Sequence, residues 1–203
     1  IHTLLTWFEF TSNDIQDHHP LSIINLKDTH FDERQSIPLI ITRAAYNTQK
    51  RLSKSQQSHL NIIIDEAHNI LSLQKGYEDN SRRDTHLNVF EEIIREGRKF
   101  DTFLTIISQR PADIAPSIVS QLHHYFLHRL GSFADLECVK NSVLFLNRNL
   151  FDAIPSLSCG TCIISGTSVQ IPAVVKIDEL PEGRKPNNET IDLVKLWGLA
   201  PGS

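Results

Sequence analysis

The sequence predicts an α/β domain organised around a parallel sheet, and three features carry that expectation. Two short apolar runs, residues 60–64 and 103–107, are continuous rather than alternating, as strands buried on both faces are. Between them lies a stretch with apolar residues at helical spacing, so strand, helix and strand follow one another as in a parallel crossover. Both runs end abruptly in polar residues: Asp65-Glu66 after the first, Ser108-Gln109-Arg110 after the second. In open α/β sheets ligands bind just beyond the carboxyl ends of the strands, so chemistry is expected there.

Taken in order, residues 1–20 carry a weak signal. Residues 3–10 are apolar and aromatic, and 11–20 are polar with His18 and His19 before Pro20, which reads as a loop. Residues 21–26 read as a short apolar strand. A helix follows over 31–52, where Ile37, Ile40, Ile41, Ala44 and Ala45 recur at helical spacing and Pro38 fits best in the first turn. Residues 53–58 form a serine-containing polar loop before the strand at 60–64. Residues 67–73 then make a short helical turn, and the polar stretch 74–84, with Gly76, is expected to be mobile. Asp84 or Thr85 caps the next helix, which runs to Phe100 with Leu87, Phe90, Ile94 and Gly97 along one stripe.

Beyond the strand at 103–107, residues 112–122 read as a helix broken by Pro116. Residues 125–130 alternate apolar side chains with His128 and Arg129, a further strand. Residues 135–143 read as helix, and 161–164 with 169–175 flank Gly166 as a hairpin. Residues 181–188 are linker-like, and 190–197 form an amphipathic helix with Ile191, Val194 and Trp197 on one stripe. There is no internal repeat. The division expected is one domain over 1–180, then a linker and tail helix over 181–203.

Composition bounds the function. A chain of 203 residues suffices for a full α/β core. A net charge of −4 gives no global basic signature for nucleic acid and leaves only a local patch for that purpose. No apolar stretch reaches membrane-span length, and no signal-peptide pattern opens the chain. Cys138, Cys159 and Cys162 are too few and too odd for a disulfide framework. A cytoplasmic protein without membrane association is the expectation. The chain opens on Ile1 and holds no methionine, which predicts a fragment of a longer protein or a sequence with residues missing. Neighbours in this numbering need not all be neighbours in the complete chain.

The strand ends carry the chemistry. In a nucleotide hydrolase one carboxylate orders the magnesium shell and a second aligns the attacking water, and Asp65 and Glu66 are placed for that division. The competing reading is a strand ending in a solvated acidic turn. If the two strands are neighbours, Gln109 lies near both acids, where an amide can bond the water and a terminal phosphate oxygen. An ordinary turn before Pro111 is the alternative. Arg95 and Arg98, in Arg95-Glu96-Gly97-Arg98-Lys99, close the joining helix and complement its dipole. Arginine also stabilises charge on a transferring phosphoryl group, often from a neighbouring subunit.

These motifs together resemble one family. Asn61-Ile62-Ile63-Ile64-Asp65-Glu66-Ala67-His68, then Arg95-Glu96-Gly97-Arg98-Lys99-Phe100, then Ile107-Ser108-Gln109-Arg110-Pro111 look like the HerA branch of the HerA/FtsK ring ATPases. Residues 125–130 and 160–177 look like that family's C-terminal half, so the resemblance covers residues 20–178. It implies a RecA-like P-loop NTPase fold, a three-layer sandwich with a mostly parallel sheet. It further implies a homo-hexamer that binds ATP and Mg and translocates on double-stranded DNA, paired with a NurA-type nuclease or a sirtuin-like or other defence effector. By matching motif, Asp65 becomes the Walker B magnesium residue, Glu66 the catalytic base and Gln109 the polar sensor. Arg110 falls among the nucleotide-binding residues, and Arg95 or Arg98 is the candidate arginine finger.

One departure is large. The phosphate-cradling Gly-x-x-x-x-Gly-Lys-Ser/Thr loop is absent from these residues, so the resemblance covers the C-terminal half of the ATPase domain. Without that loop's N–H donors and lysine the chain by itself is expected not to hydrolyse ATP. Asp65-Glu66-Ala67-His68 also spells the DEAH box of superfamily 2 helicases, but the Ser-Ala-Thr and arginine-rich motifs of those proteins are missing. A non-catalytic ring scaffold displaying a partner is the other alternative.

Remaining features are weaker. Lys75, Arg82 and Arg83, in the polar loop, are candidates for DNA phosphates in a ring channel, against a solvated charged loop. Cys159-Gly160-Thr161-Cys162 has zinc or redox spacing but no second pair, which favours buried structural cysteines on a strand. His124 and His128 lie too far apart on a strand to share an ion. The tail helix is expected to pack on a neighbouring subunit.

Overall fold

The computed structural model describes residues 21–26, 29–52, 59–72, 80–143 and 146–185, apart from the side chains of 31–35, 80–86 and 182. Lys75, the loop at 53–58 and the tail helix therefore lie outside the described residues.

Helix α1 (Phe31–Leu52) occupies the predicted span and turns Ile41, Thr42, Tyr46 and Gln49 inward at helical spacing. Pro38 stands in its interior, not in its first turn. The missing N–H removes one rung, which a helix of 22 residues carries. Strand β1 (Leu60–Ile64) leads through a 3-10 turn, Ala67–Asn69, towards α2 (Asn80–Glu96). That helix takes in Asn80 to Arg83 ahead of Asp84, since no proline or glycine in that stretch opposes a helix. Arg82 and Arg83 thus belong to a helix, not to a polar loop. A second 3-10 turn, Gly97–Phe100, delivers the chain to β2 (Thr102–Ile106).

Strands β1 and β2 pair in parallel, Leu60 with Thr102 through Ile64 with Ile106. Ile62 and Ile64, alternate residues of β1, face α1 and α2 and join a core with Tyr46, Leu87, Phe90 and Ile93. The opposite face carries Asn61, Ile63 and Phe103, and Ile63 is 63% exposed. The expectation of a sheet buried on both faces is corrected here: among the described residues only one face is covered.

The remaining strands form a separate sheet. Pro116 starts helix α3 (Pro116–Val119) instead of breaking a longer one, since proline suits a first helical turn. β3 (His124–Leu127), helix α4 (Phe133–Ser142) and helix α5 (Arg148–Ala153) follow, then β4 (Thr161–Gly166) and β5 (Ala173–Lys176). The order is β3-β4-β5, antiparallel throughout. The described strands are therefore not mostly parallel, because the β4–β5 connection is a short hairpin and only a crossover permits parallel pairing. Leu127, Val139, Ile154 and Ile163 form the second core, and Tyr125 packs against both. Residues 21–26 form no strand, and Leu21 and Ile23 are exposed.

Candidate active site

The site is built where β1 and β2 end. The parallel ladder runs past both strands: Ile107 N–H donates to the Ile64 carbonyl at 2.9 Å, and Ala67 N–H donates to the Ile107 carbonyl at 2.9 Å. These two bonds hold the acidic turn and the amide loop side by side. Asp65 and Glu66 lie just beyond the strand, so backbone conformation, not strand alternation, sets them apart. Glu66 adopts the left-handed conformation, φ 48° and ψ 44°. A non-glycine residue held there stores on the order of 1 kcal/mol or more and persists only where its surroundings fix it. Its own N–H donates to Asp65 Oδ1 at 2.9 Å.

Gln109 Nε2 donates to Glu66 Oε1 at 2.7 Å, joining two side chains separated by 43 positions. His68, tucked behind them, places Nδ1 3.3 Å from Glu66 Oε2 and 3.3 Å from Ser108 Oγ. Ser108 Oγ also accepts the Arg110 N–H at 3.0 Å, which tightens the loop. The Arg110 side chain is exposed and lies 3.8 Å from Asp113. From the other core, Asp135 Oδ1 accepts the Ala112 N–H at 3.0 Å, and Cys138 Sγ donates to the Pro111 carbonyl at 3.4 Å. Helix α4 thereby clamps the loop that carries Gln109. Burial raises the Cys138 thiol pKa, and the nearby Asp135 carboxylate acts in the same direction.

Asp65 is exposed with one oxygen engaged by Glu66 N–H, leaving the rest of the carboxylate free to order water around a cation. Among the described residues no three His, Cys, Asp or Glu side chains gather into a cage. An ion at Asp65 would complete its shell with phosphate oxygens and water, as magnesium does.

Arg95 and Arg98 do not join this group. Both are exposed at the end of α2, where β2 begins, and Arg95 Nε donates to the Glu91 carbonyl at 3.4 Å. Gln109 follows the other end of β2, and five extended residues separate the two by roughly 16 Å. Arg82 and Arg83 lie near the start of α2. His68 announced itself only as part of the acidic motif, and Asp135 gave no sequence signal because its partner is distant in the chain. Of the two paired cysteines, Cys162 is buried on β4 while Cys159 is exposed in the preceding turn. That corrects the reading of both as buried.

No protein-family model matches the chain. The DNA double-strand break repair helicase HerA of Sulfurisphaera tokodaii is 28% identical over 199 residues, 95% of this chain and 38% of that protein. A probable helicase of Methanocaldococcus jannaschii is 28% identical over 189 residues, 91% of this chain and 35% of its own length. The HerA helicase of Pyrococcus furiosus is 32% identical over 123 residues, 61% of this chain and 21% of that protein. The chain thus spans little more than a third of the first two relatives. Among solved structures, VirB4 of Thermoanaerobacter pseudethanolicus matches with a TM-score of 0.60 at 15% identity, over 79% of this chain and 41% of that one. The genome packaging NTPase B204 of Sulfolobus turreted icosahedral virus 2, in complex with AMPPCP, matches with a TM-score of 0.52 at 17% identity, over 70% and 63%.

The fold is that of the B204 and VirB4 ATPases, α/β with a parallel and an antiparallel sheet. Along nearly its whole length the chain is similar to HerA helicases, at 28–29% identity. No helix among the described residues is long and apolar enough to cross a membrane.

Proposed function

We propose that these residues form the second half of an ATP-hydrolysing subunit of a homo-hexameric ring that translocates on double-stranded DNA. The observation that carries the reading is the 2.7 Å hydrogen bond between Glu66 and Gln109, made at the ends of two paired parallel strands beside Asp65. In this reading Asp65 orders the hydration shell of magnesium, which when bound offsets the charge of the outer phosphates. Glu66 accepts a proton from the attacking water. Gln109 releases Glu66 to bond that water and a terminal phosphate oxygen, so its position reports the nucleotide. Arg110, at the same strand end, is assigned to nucleotide binding.

Arg95 and Arg98 stand at the far end of β2 from Glu66. One of them, Arg95 or Arg98, serves in this reading as the trans-acting finger that completes a neighbouring subunit's site in the ring. Lys75, Arg82 and Arg83 are assigned to DNA phosphates in the channel. A NurA-type nuclease or a defence effector such as a sirtuin-like enzyme is the partner class, and the phosphate-cradling lysine loop is supplied by another part of the protein.

Replacing Glu66 in the full-length protein tests this. Glu66→Gln should lower ATP turnover by about a hundredfold or more while ATP still binds, and DNA translocation should stop with it. Undiminished turnover contradicts the reading. Lost turnover with retained biological activity would make the chain a scaffold.

A further inference from the structure

The two oxygens of Glu66 are in different situations. Oε1 receives the Gln109 amide, whereas Oε2 is shut off from solvent and no donor meets hydrogen-bond geometry with it. A carboxylate oxygen in that state has lost its water without a replacement, which is unfavourable for an ionised group. The atom nearest to supplying one is His68 Nδ1 at 3.3 Å, on a side chain only 18% exposed. That same nitrogen meets Ser108 Oγ, whose oxygen already accepts the Arg110 N–H. An imidazole carrying its proton on Nδ1 has an acceptor on either side. With Nδ1 bare, a nitrogen lone pair would face the carboxylate with no proton between them.

We infer that His68 is a positioning residue for Glu66. Its Nδ1–H rests on Ser108 Oγ here and passes to Glu66 Oε2 when Gln109 turns away towards the nucleotide. The general base then keeps its aim after losing the amide that holds it. The inference rests on the hydrolytic role proposed for Glu66, but it concerns a side chain with no assigned part in that chemistry.

Steady-state ATP turnover of the full-length protein separates the two readings. His68→Ala should lower kcat on the order of tenfold, the usual effect of losing a group that orients a reacting side chain. KM for ATP should stay within about twofold, because no contact with the nucleotide is removed. His68→Asn, whose amide nitrogen falls near the position of Nδ1, should recover most of kcat, and His68→Gln, whose amide reaches the Nε2 position, should not. Wild-type kcat in His68→Ala, or equal rates for His68→Asn and His68→Gln, overturns the inference. If His68→Ala does not fold, the comparison of His68→Asn with His68→Gln decides alone. Glu66→Gln measured alongside distinguishes the failures. Should that variant still turn over ATP, the hydrolytic reading falls and His68 with it; should it be inactive while His68→Ala is fast, only the role of His68 falls.

Discussion

Single residues set the site's geometry. Glu66 is bent into the left-handed region and tied by Gln109, so its carboxylate faces the loop after β2 instead of following the strand. Away from the site, Tyr46 shows how burial acts on one group. Its ring lies in the core against Phe100 with Lys50 Nζ 4.3 Å above it, yet its hydroxyl is buried without a partner. Burial, then the carboxylates of Glu92 and Glu96, push its pKa from 10.0 up to about 12. A folded-state pKa above the unfolded one means the stabilising contribution is complete below pH 10 and is lost as pH rises through about 12. Tyr46→Phe removes an unsatisfied hydroxyl and keeps the ring, so stability at neutral pH should stay within about 1 kcal/mol or rise. Thermal melts across the alkaline range should fall less steeply for the variant, and equal slopes would contradict the assignment.

At the scale of elements, the strand–helix–strand unit was legible because its signals are local. A continuous apolar run, a helical stripe and an acidic stop each lie within one window of sequence, and the 31–52 helix and the Gly166 hairpin were readable for the same reason. Residues 21–26 are apolar enough to suggest a strand, but a single apolar run does not reveal whether a ladder forms. Helix α5 offered too short a pattern to register, although Asn147 caps it by accepting the Leu150 N–H at 2.9 Å. Gly97 falls on the helix's apolar stripe, but its role is close approach. A Cβ there would stand 2.6 Å from the Thr102 carbonyl oxygen and 3.3 Å from Ile93 Cγ2. Gly97→Ala must therefore push the end of α2 away from the start of β2, costing roughly 1–3 kcal/mol. Urea denaturation of the full-length variant measures this, and an unchanged midpoint would show that the junction yields freely.

For the whole molecule, two cores meet at Tyr125 and the loop bearing Gln109 is held from both. Its hydroxyl donates to the Val119 carbonyl at 2.8 Å, and Asp135 reaches across to the Ala112 N–H. That clamp was invisible in the sequence, since nothing local to Asp135 points to residue 112. The pairing of the acidic turn with Gln109 was legible, because parallel neighbours joined by one crossover put their carboxyl ends at the same edge. Coverage of the sheet was not, because an apolar run says that a strand suits burial but not which layer covers it. The central claim, that Glu66 and Gln109 act as one hydrolytic unit, is tested most directly by single-turnover ATP cleavage in Glu66→Gln, Gln109→Ala and the double variant of the full-length protein. Residues that act together lose their effect together, so the double variant should be no slower than Glu66→Gln alone. Losses that multiply, or a Gln109→Ala rate within about twofold of the unsubstituted protein, would contradict the account.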